Sequence, residues 1–160
     1  MSVDTDGALV TEVLFYHLQG RRLEGALPPL LEKSLERGWR VIVQAGSEER
    51  IEALDALLWS YRDDSFLPHA TARAPDADEQ PILLTVGEDN PNRAQVRFLL
   101  DGVEVPSDAS SYQRIVLIFD GDDPDAVAAA RIRFEDARTK GFATTYWRQG
   151  PQGGWERQGG

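Results

Sequence analysis

The sequence predicts an α/β fold in which parallel strands alternate with helices. Short apolar runs rich in β-branched residues alternate with segments whose apolar residues recur at helical spacing, and two such strand–helix pairs fit within about sixty residues. The 160 residues, 41% of them hydrophobic, are enough for one domain with a sizeable core. We therefore predict a single α/β domain over residues 12–148, with a flexible leader at 1–11 and a disordered, Gly-rich tail at 149–160.

The first half of the chain supplies the repeating unit. A strand is predicted in EVLFYHL, followed by a helix in LEGALPPLLEKSLERG, whose leucines recur at helical spacing. Gly38 is placed to close this helix, and Pro28 and Pro29 must lie in its first turns or kink it. RVIVQAG is a short buried strand that leads into a second helix. The core side of the second helix is predicted to carry Ile51, Leu54, Leu57, Leu58 and Tyr61.

The second half continues with more strands and one long helix. Strands are predicted in PILLTV, AQVRFLL, RIVLIF and FATTYW. The helix is predicted from about Pro124 to Lys140, and Gly141 closes it. Its apolar stripe is predicted to consist of Ala126, Val127, Ala130, Phe134 and Ala137.

Composition and charge exclude several classes of protein. The chain has no cysteine, so it can form neither a disulfide nor a thiolate metal site. Its net charge of −10 argues against general DNA or RNA binding, which usually needs a basic surface. The apolar runs are too short to cross a bilayer, and MSVDTDGALV lacks the features of a signal peptide. We expect a cytoplasmic protein with no direct contact to nucleic acid or membrane.

The acidic stretch LIFDGDDPDA permits two interpretations. Acidic residues after a buried strand often hold magnesium in α/β enzymes, so Asp120, Asp122 and Asp123 could serve a metal-dependent phosphoryl transfer. Helix capping explains the same spacing, because Asp123 suits the N-cap, Pro124 the first helical position and Asp125 the positive end of the helix dipole. Capping is the favoured interpretation, and phosphoryl transfer is kept as the alternative function.

Other signs of catalysis are weak. His17 and His69 are the only histidines, the first at a strand end and the second in a loop, and a structural or surface role is expected for each. No serine has a nucleophile-elbow context, and QAGSEER lacks the glycines and lysine of a phosphate-binding loop. We expect no catalytic residue, no metal and no cofactor.

The last helix carries a candidate docking site. Arg131 and Arg138 flank Phe134 at spacings of three and four residues, so the three side chains are neighbours. Two guanidinium groups beside an aromatic ring suit an acidic peptide that ends in an apolar side chain. The competing interpretation is an ordinary solvated face on which Glu135 pairs with both arginines.

A second candidate surface surrounds Trp59. This side chain lies off the core stripe of its helix, toward solvent, and Phe66 follows in a proline-bearing loop. Either the loop at 60–69 covers Trp59, or Trp59 and Phe66 form an exposed aromatic patch for a partner. The residues alone leave both interpretations open.

At LWSYRDDSFLPH the chain resembles the chi subunit family of the bacterial DNA polymerase III holoenzyme, a non-enzymatic accessory of the clamp-loader complex. VLFYHL and RGWRVIV look like the first two strands of that family, and ARIRFEDARTKGF looks like its C-terminal helix. The resemblance covers roughly residues 12 to 147. It implies a three-layer fold with a mostly parallel or mixed central sheet and helices on both faces, Rossmann-like but without a nucleotide site.

The resemblance also implies two partners. Chi proteins link the clamp loader to single-stranded DNA-binding protein (SSB), whose acidic C-terminal tail ends in phenylalanine and docks on the C-terminal helix; the matching positions are Arg131 and Phe134, with Arg138 nearby. The psi subunit covers an apolar surface that matches Trp59 and Phe66. A chain that has lost psi and keeps only the SSB contact is a further alternative. Glu135 departs from the family, which often has lysine there, and predicts a weaker or shifted tail site, for which Arg133, Lys140 and Arg148 are possible substitutes.

Overall fold

The computed structural model describes residues 10–20, 22–61, 67–152 and 154–158. In these residues three helices surround one sheet, whose strand order is β3-β4-β2-β5-β6-β1-β7-β8. The strands are β1 (Glu12–Leu18), β2 (Val41–Gln44), β3 (His69–Thr71), β4 (Ile82–Thr85), β5 (Val96–Leu99), β6 (Arg114–Asp120), β7 (Ala143–Gln149) and β8 (Trp155–Gln158). The helices are α1 (Leu23–Glu36), α2 (Glu48–Ser60) and α3 (Pro124–Thr139).

Every neighbouring pair from β3 to β7 is parallel, and only β7 with β8 is antiparallel. Helices α1 and α2 cover one face of the sheet, where their leucines join a core with alternate residues of the central strands. Helix α3 covers the other face over β1, β6 and β7, against the intervening residues of those strands. The predicted three-layer α/β fold with a mostly parallel sheet is therefore confirmed.

The helix ends follow the predicted local chemistry. Helix α1 runs through Pro28 and Pro29 and ends before Gly38, which has a φ of +79° that favours glycine. The Oδ1 atom of Asp123 accepts hydrogen bonds from the backbone N–H groups of Asp125 at 3.0 Å and Ala126 at 3.4 Å. Asp123 is thus the N-cap of α3, and Pro124 is its first residue, which confirms the capping interpretation.

Two short strands depart from the sequence prediction. His69 lies in the three-residue strand β3, not in a loop, and pairs with Ile82 at one edge of the sheet. At the other edge, Trp155–Gln158 forms β8 against β7, so the predicted disordered tail is wrong for these four residues. β3 has only three residues, and β8 has one apolar residue among four, so neither shows the apolar run by which the other strands were predicted.

A buried arginine forms hydrogen bonds to loops that lie over the part of the sheet face that α3 does not cover. Arg97 in β5 is 0% exposed. Its guanidinium donates to the side-chain oxygen of Gln44 at 2.6 and 2.9 Å, to the Tyr112 hydroxyl at 2.9 Å, and to the carbonyl oxygens of Gly87 at 2.5 Å and Asp89 at 3.0 Å. These acceptors offset the cost of burying the charge. This role of Arg97 was not predicted, although a charge inside the apolar run AQVRFLL was a visible sign.

Candidate docking sites

Helix α3 builds an aromatic cluster with β1 and β7. The Phe134 ring meets the edge of the Phe15 ring at a centroid distance of 5.3 Å and the Tyr146 ring at 5.9 Å. Phe15 and Tyr146 are paired in the β1–β7 register, so they project from the same face of the sheet. Phe15 is fully buried, whereas Phe134 and Tyr146 stay partly exposed. The predicted apolar stripe of α3 therefore reaches solvent at Phe134.

A polar row continues this cluster toward the carboxyl ends of the strands. His17 in β1 lies opposite Phe119 of β6 on one side and Arg148 of β7 on the other. The Nδ1 atom of His17 is 2.7 Å from the Tyr146 hydroxyl oxygen. A Cβ atom at Gly121 would collide with the His17 imidazole, so only glycine lets the chain pass so close after β6. We call Arg131, Phe134, Tyr146, His17 and Arg148 the cationic cup.

Both arginines of the cup lie close enough to Tyr146 and His17 to affect the pKa values of these two side chains. Burial raises the pKa of the Tyr146 hydroxyl, and the charges of Arg148 and Arg131 oppose that rise. Burial also lowers the pKa of His17, and Arg148 and Arg131 lower it further while Asp122 and Asp120 oppose them. Within the described residues, the Arg148 Nε atom is buried and has no hydrogen-bond partner. The cup thus presents the positive charge of an exposed and a half-buried arginine to an anionic ligand.

The structure brings the predicted residues of α3 together. Arg131 lies at the cup, and the Arg138 guanidinium carbon is 5.9 Å from the Phe134 ring centre. Glu135 forms an exposed ion pair with Arg138 at 3.8 Å, and no ion pair joins Glu135 to Arg131 in the described part of the chain. The expected solvated face with Glu135 between two arginines is therefore present for one arginine only.

Of the three possible substitutes for the lysine expected beside Phe134, only Arg148 reaches the cup. Arg133 donates to the Gly102 carbonyl oxygen at 2.8 Å, and Lys140 pairs with Asp136 at 2.9 Å. Arg148 instead stands opposite His17 across the β1–β7 pair. This position depends on the register of strands more than 120 residues apart in sequence, which a pattern of single residues does not reveal.

Trp59 protrudes at the opposite side of the molecule. Its side chain is 60% exposed on α2, as the helical spacing predicted. Its ring lies 4.7 Å from the ring of His69 in edge strand β3. The His69 Nδ1 atom donates to the Leu67 carbonyl oxygen at 2.6 Å, and its Nε2 atom is 3.0 Å from Asp55 Oδ1. We call Trp59, His69 and Asp55 the Trp59 platform; Phe66, predicted to share this surface, lies outside the described residues.

Comparison with known protein families identifies the chain. The family model described as DNA polymerase III chi subunit, HolC, matches residues 10–145. The chain belongs to the DNA polymerase III chi subunit family. The chain is also similar to the DNA polymerase III subunit chi of Pseudomonas aeruginosa PAO1, with 31% identity over 71% of this chain and 77% of that protein. It shares 26% identity with the probable DNA polymerase III subunit chi of Rickettsia prowazekii Madrid E, over 66% of this chain and 67% of that protein.

Membership of the chi family gives the chain a role in DNA replication as an accessory subunit within the DNA polymerase III complex. Both the Trp59 platform and the α3 residues of the cup fall inside the matched region, whereas Arg148 and β8 lie beyond it. None of the helices in the described ranges is long and apolar enough to span a bilayer.

The cleft where related folds bind nucleotides is acidic in this chi-family chain. It opens beyond the carboxyl ends of β1 and β6, between the first turns of α1 and α3, with a volume of about 820 Å³. Asp120 accepts from the backbone N–H of Asp122 at 2.9 Å, and Asp123 caps α3. Its lining includes six carboxylates and two arginines: Glu24, Asp101, Asp120, Asp122, Asp123, Asp125, Arg22 and Arg50. Among the residues that the structure describes, no group of three or more acidic or histidine side chains is arranged to hold a metal ion, so the geometry gives no support to metal-dependent phosphoryl transfer.

Proposed function

We propose that this chain is a non-catalytic, cytoplasmic adaptor that links the polymerase III clamp-loader complex to SSB. In this proposal the cationic cup takes the acidic C-terminal tail of SSB, and the Trp59 platform takes a psi subunit. The observation that carries the proposal is the cup itself: a partly exposed aromatic ring on α3 with the positive charges of two arginines beside it.

The cup matches the two chemical features of the tail. Phe134 and Tyr146 offer apolar surface on which a terminal phenylalanine ring can pack, a burial that contributes about 1.5 to 3 kcal/mol for an aromatic side chain. Arg131 and Arg148 both lie close enough to the Tyr146 hydroxyl to oppose the rise in its pKa, and their guanidinium groups can donate to the terminal carboxylate.

The acidic side chains near the cup should weaken its contact with the tail. Glu135 lies beside Phe134 and is paired with Arg138, so Arg138 is less available to the tail than Arg131. Asp120 and Asp122 also lie close enough to affect the charge of His17. We therefore expect weak binding of a single tail, which becomes effective when several tails are presented together.

The Trp59 platform supports the psi contact through a different chemistry. A tryptophan that is 60% exposed, with buried Leu58 beside it in α2, is typical of a side chain that a second protein covers. His69 is 0% exposed at its side chain and is held from two sides, so it gives the indole a fixed support. A pre-positioned aromatic ring of this kind can carry a large share of an interface energy.

The two sites lie far apart on the sheet, which suits a linker. Strand β3 forms one edge, while β1 and β7 lie five and six strands away in the order of the sheet. At about 4.8 Å between neighbouring strands this separation is roughly 24 Å or more. One partner can therefore occupy each site without contact between them.

Titration with a synthetic SSB C-terminal peptide tests the proposal. We expect saturable binding that is lost when the last phenylalanine is removed, and about tenfold weaker binding to Arg131→Ala, because a hydrogen bond to a charged group contributes about 1.5 kcal/mol. Arg133→Ala is the matched control, since Arg133 lies on the same helix but bonds to Gly102. Binding that survives loss of the phenylalanine, or that weakens equally in both variants, would contradict the proposed site.

A further inference from the structure

A second groove lies on the opposite face of the sheet from the cationic cup. It runs between the C-terminal half of α1 and strands β1, β7 and β8, and has a volume of about 680 Å³. Its floor is aliphatic, from Leu14, Leu30 and Val116, and its walls carry aromatic and cationic side chains. Strand β8, which forms one wall of this groove, lies outside the region matched by the chi family model.

Three aromatic rings meet in this groove. Tyr16 lies between Trp147 and Trp155, with ring centres 6.4 Å from the first and 4.7 Å from the second. All three side chains are partly exposed. Trp39 lies close by, with the guanidinium carbons of Arg37 and Arg114 each 5.0 Å from its ring. Three of the four tryptophans of the chain are therefore gathered around one groove.

Positive charge lines both sides of these rings. Lys33 and Arg37 project from α1 at a spacing of one helical turn. On the other side Arg157 is paired with Trp147 in the antiparallel register, which places both on the same face of the sheet. Arg114 completes the set and is already paired with Glu12 at 3.3 Å. The lining of the groove has three cations, Lys33, Arg37 and Arg114, against Glu36, so the groove is locally positive on a chain whose net charge is −10.

We propose that this groove binds single-stranded nucleic acid. The bases pack on the rings of Tyr16, Trp147 and Trp155, and the phosphates follow the cations on the two sides. A cationic groove with partly exposed aromatic rings is the arrangement by which proteins hold single strands without reading their sequence. The net charge argues against a broad nucleic-acid surface, and it limits this site to a short, weak and strongly salt-dependent contact.

Placement of the charges favours a nucleic acid over an acidic peptide. A peptide tail of the kind proposed for the cup needs one apolar pocket with cations at a single end. In the groove the cations instead flank a row of rings from α1 on one side and from β8 on the other. A single strand has a repeating phosphate charge beside each base, which matches cations that accompany the rings along their length.

The experiment is a titration of a labelled thymidine oligonucleotide of about 15 nucleotides, a length within the usual site sizes, at roughly 0.02 M salt. Fluorescence anisotropy reports binding, and quenching of tryptophan emission reports stacking. Lys33→Glu combined with Arg37→Glu should weaken binding about tenfold or more, and Trp155→Leu about fivefold or more. If about three phosphates are neutralised, the slope of log affinity against log salt should be about −2.

Arg73→Glu combined with Lys140→Glu is the control. Both positions are exposed and lie outside the groove, and the two substitutions change the net charge by the same amount as the groove pair. Binding unchanged in that control but lost in the groove variants is the expected result. Equal loss in both pairs, or no saturable binding at low salt, would overturn the proposal. The proposal would also be overturned if binding of an acidic peptide depends on Lys33 and Arg37 while binding of the oligonucleotide does not. The Arg131→Ala titration with the SSB peptide reports on the other face, so the two proposals fail independently.

Discussion

The Trp59 platform and the cationic cup both present an aromatic side chain, but the charged groups near it differ in sign. The platform contains a carboxylate, and the cup contains guanidinium groups. Trp59 is 60% exposed and rests on His69, which contacts the carboxylate of Asp55. Phe134 in the cup is partly buried against two rings, and positive charge surrounds it. The comparison indicates that exposure alone does not define a docking site; the charge beside the ring determines which partner suits it.

The two sites also differ in what a partner must supply. In the proposed function, the indole of Trp59 is an anchor that inserts into a pocket of the partner. In the same proposal, the cup is a receptor for a protruding ring and a carboxylate of its partner. A folded subunit suits the first and a flexible tail suits the second, so substitutions at the two sites should have different effects.

The largest effect is expected at Trp59. Trp59→Ala should weaken association with a psi partner by about 2 kcal/mol or more, roughly thirtyfold, because it removes the anchor. The melting temperature should change little, since the side chain is mostly exposed. Calorimetric titration and thermal unfolding of the same variant measure both quantities.

Leu58→Ala is the matched control for Trp59. Leu58 is the preceding residue of α2 and is 3% exposed, so its truncation should cost about 2 to 5 kcal/mol of stability and lower the melting temperature by roughly 5 to 15 °C. If Trp59→Ala instead lowers the melting temperature as much as Leu58→Ala and leaves the complex intact, Trp59 is a core residue and the platform is wrongly assigned.

A smaller effect, of opposite sign, is expected in the cup. Glu135→Lys should strengthen binding of the SSB tail about fivefold at low salt, because it removes a repulsive carboxylate and frees Arg138. The gain should shrink as salt is added, since the site is exposed. Asp136→Lys makes the same charge change at the next residue, where the partner is Lys140, and should change tail affinity less. Equal gains in both variants would show that net charge alone governs binding.

The smallest effect is a pH dependence of the cup. Burial, then Arg148, lowers the pKa of His17, so the imidazole is neutral at pH 7.5 in the free protein. Protonation adds a positive charge near the tail carboxylate, so lowering the pH to about 5.5 should strengthen binding about threefold. His17→Gln should remove this dependence. A steeper dependence in His17→Gln than in the parent would assign the titration to another group.

The contribution of His17 to the stability of the fold has the opposite pH dependence. The pKa of His17 is lower in the folded chain than in the unfolded chain, so the unfolded chain binds more protons below about pH 6.5 and stability falls there as the pH drops. Binding at pH 5.5 should therefore be measured together with thermal unfolding at the same pH.

Sequence patterns predicted those parts of the molecule that depend on local spacing. The three helices, six of the strands, the exposure of Trp59 and the closeness of Arg131 to Phe134 follow from periodicity and capping. The His17–Arg148 pair was not predictable in this way, because it requires β1 and β7 to be neighbours although they are the first and seventh strands in sequence. Strand β8 and the groove beside it were missed because a Gly-rich composition suggested disorder.

We propose above all that two partners bind this chain at separate surfaces at the same time. The most direct test is the affinity of the SSB tail peptide for the chain alone and for the chain saturated with a psi protein. Independent sites predict affinities equal within about twofold, together with a ternary complex of all three components. Displacement of the peptide by psi would contradict the claim, because it would show that both partners use one surface.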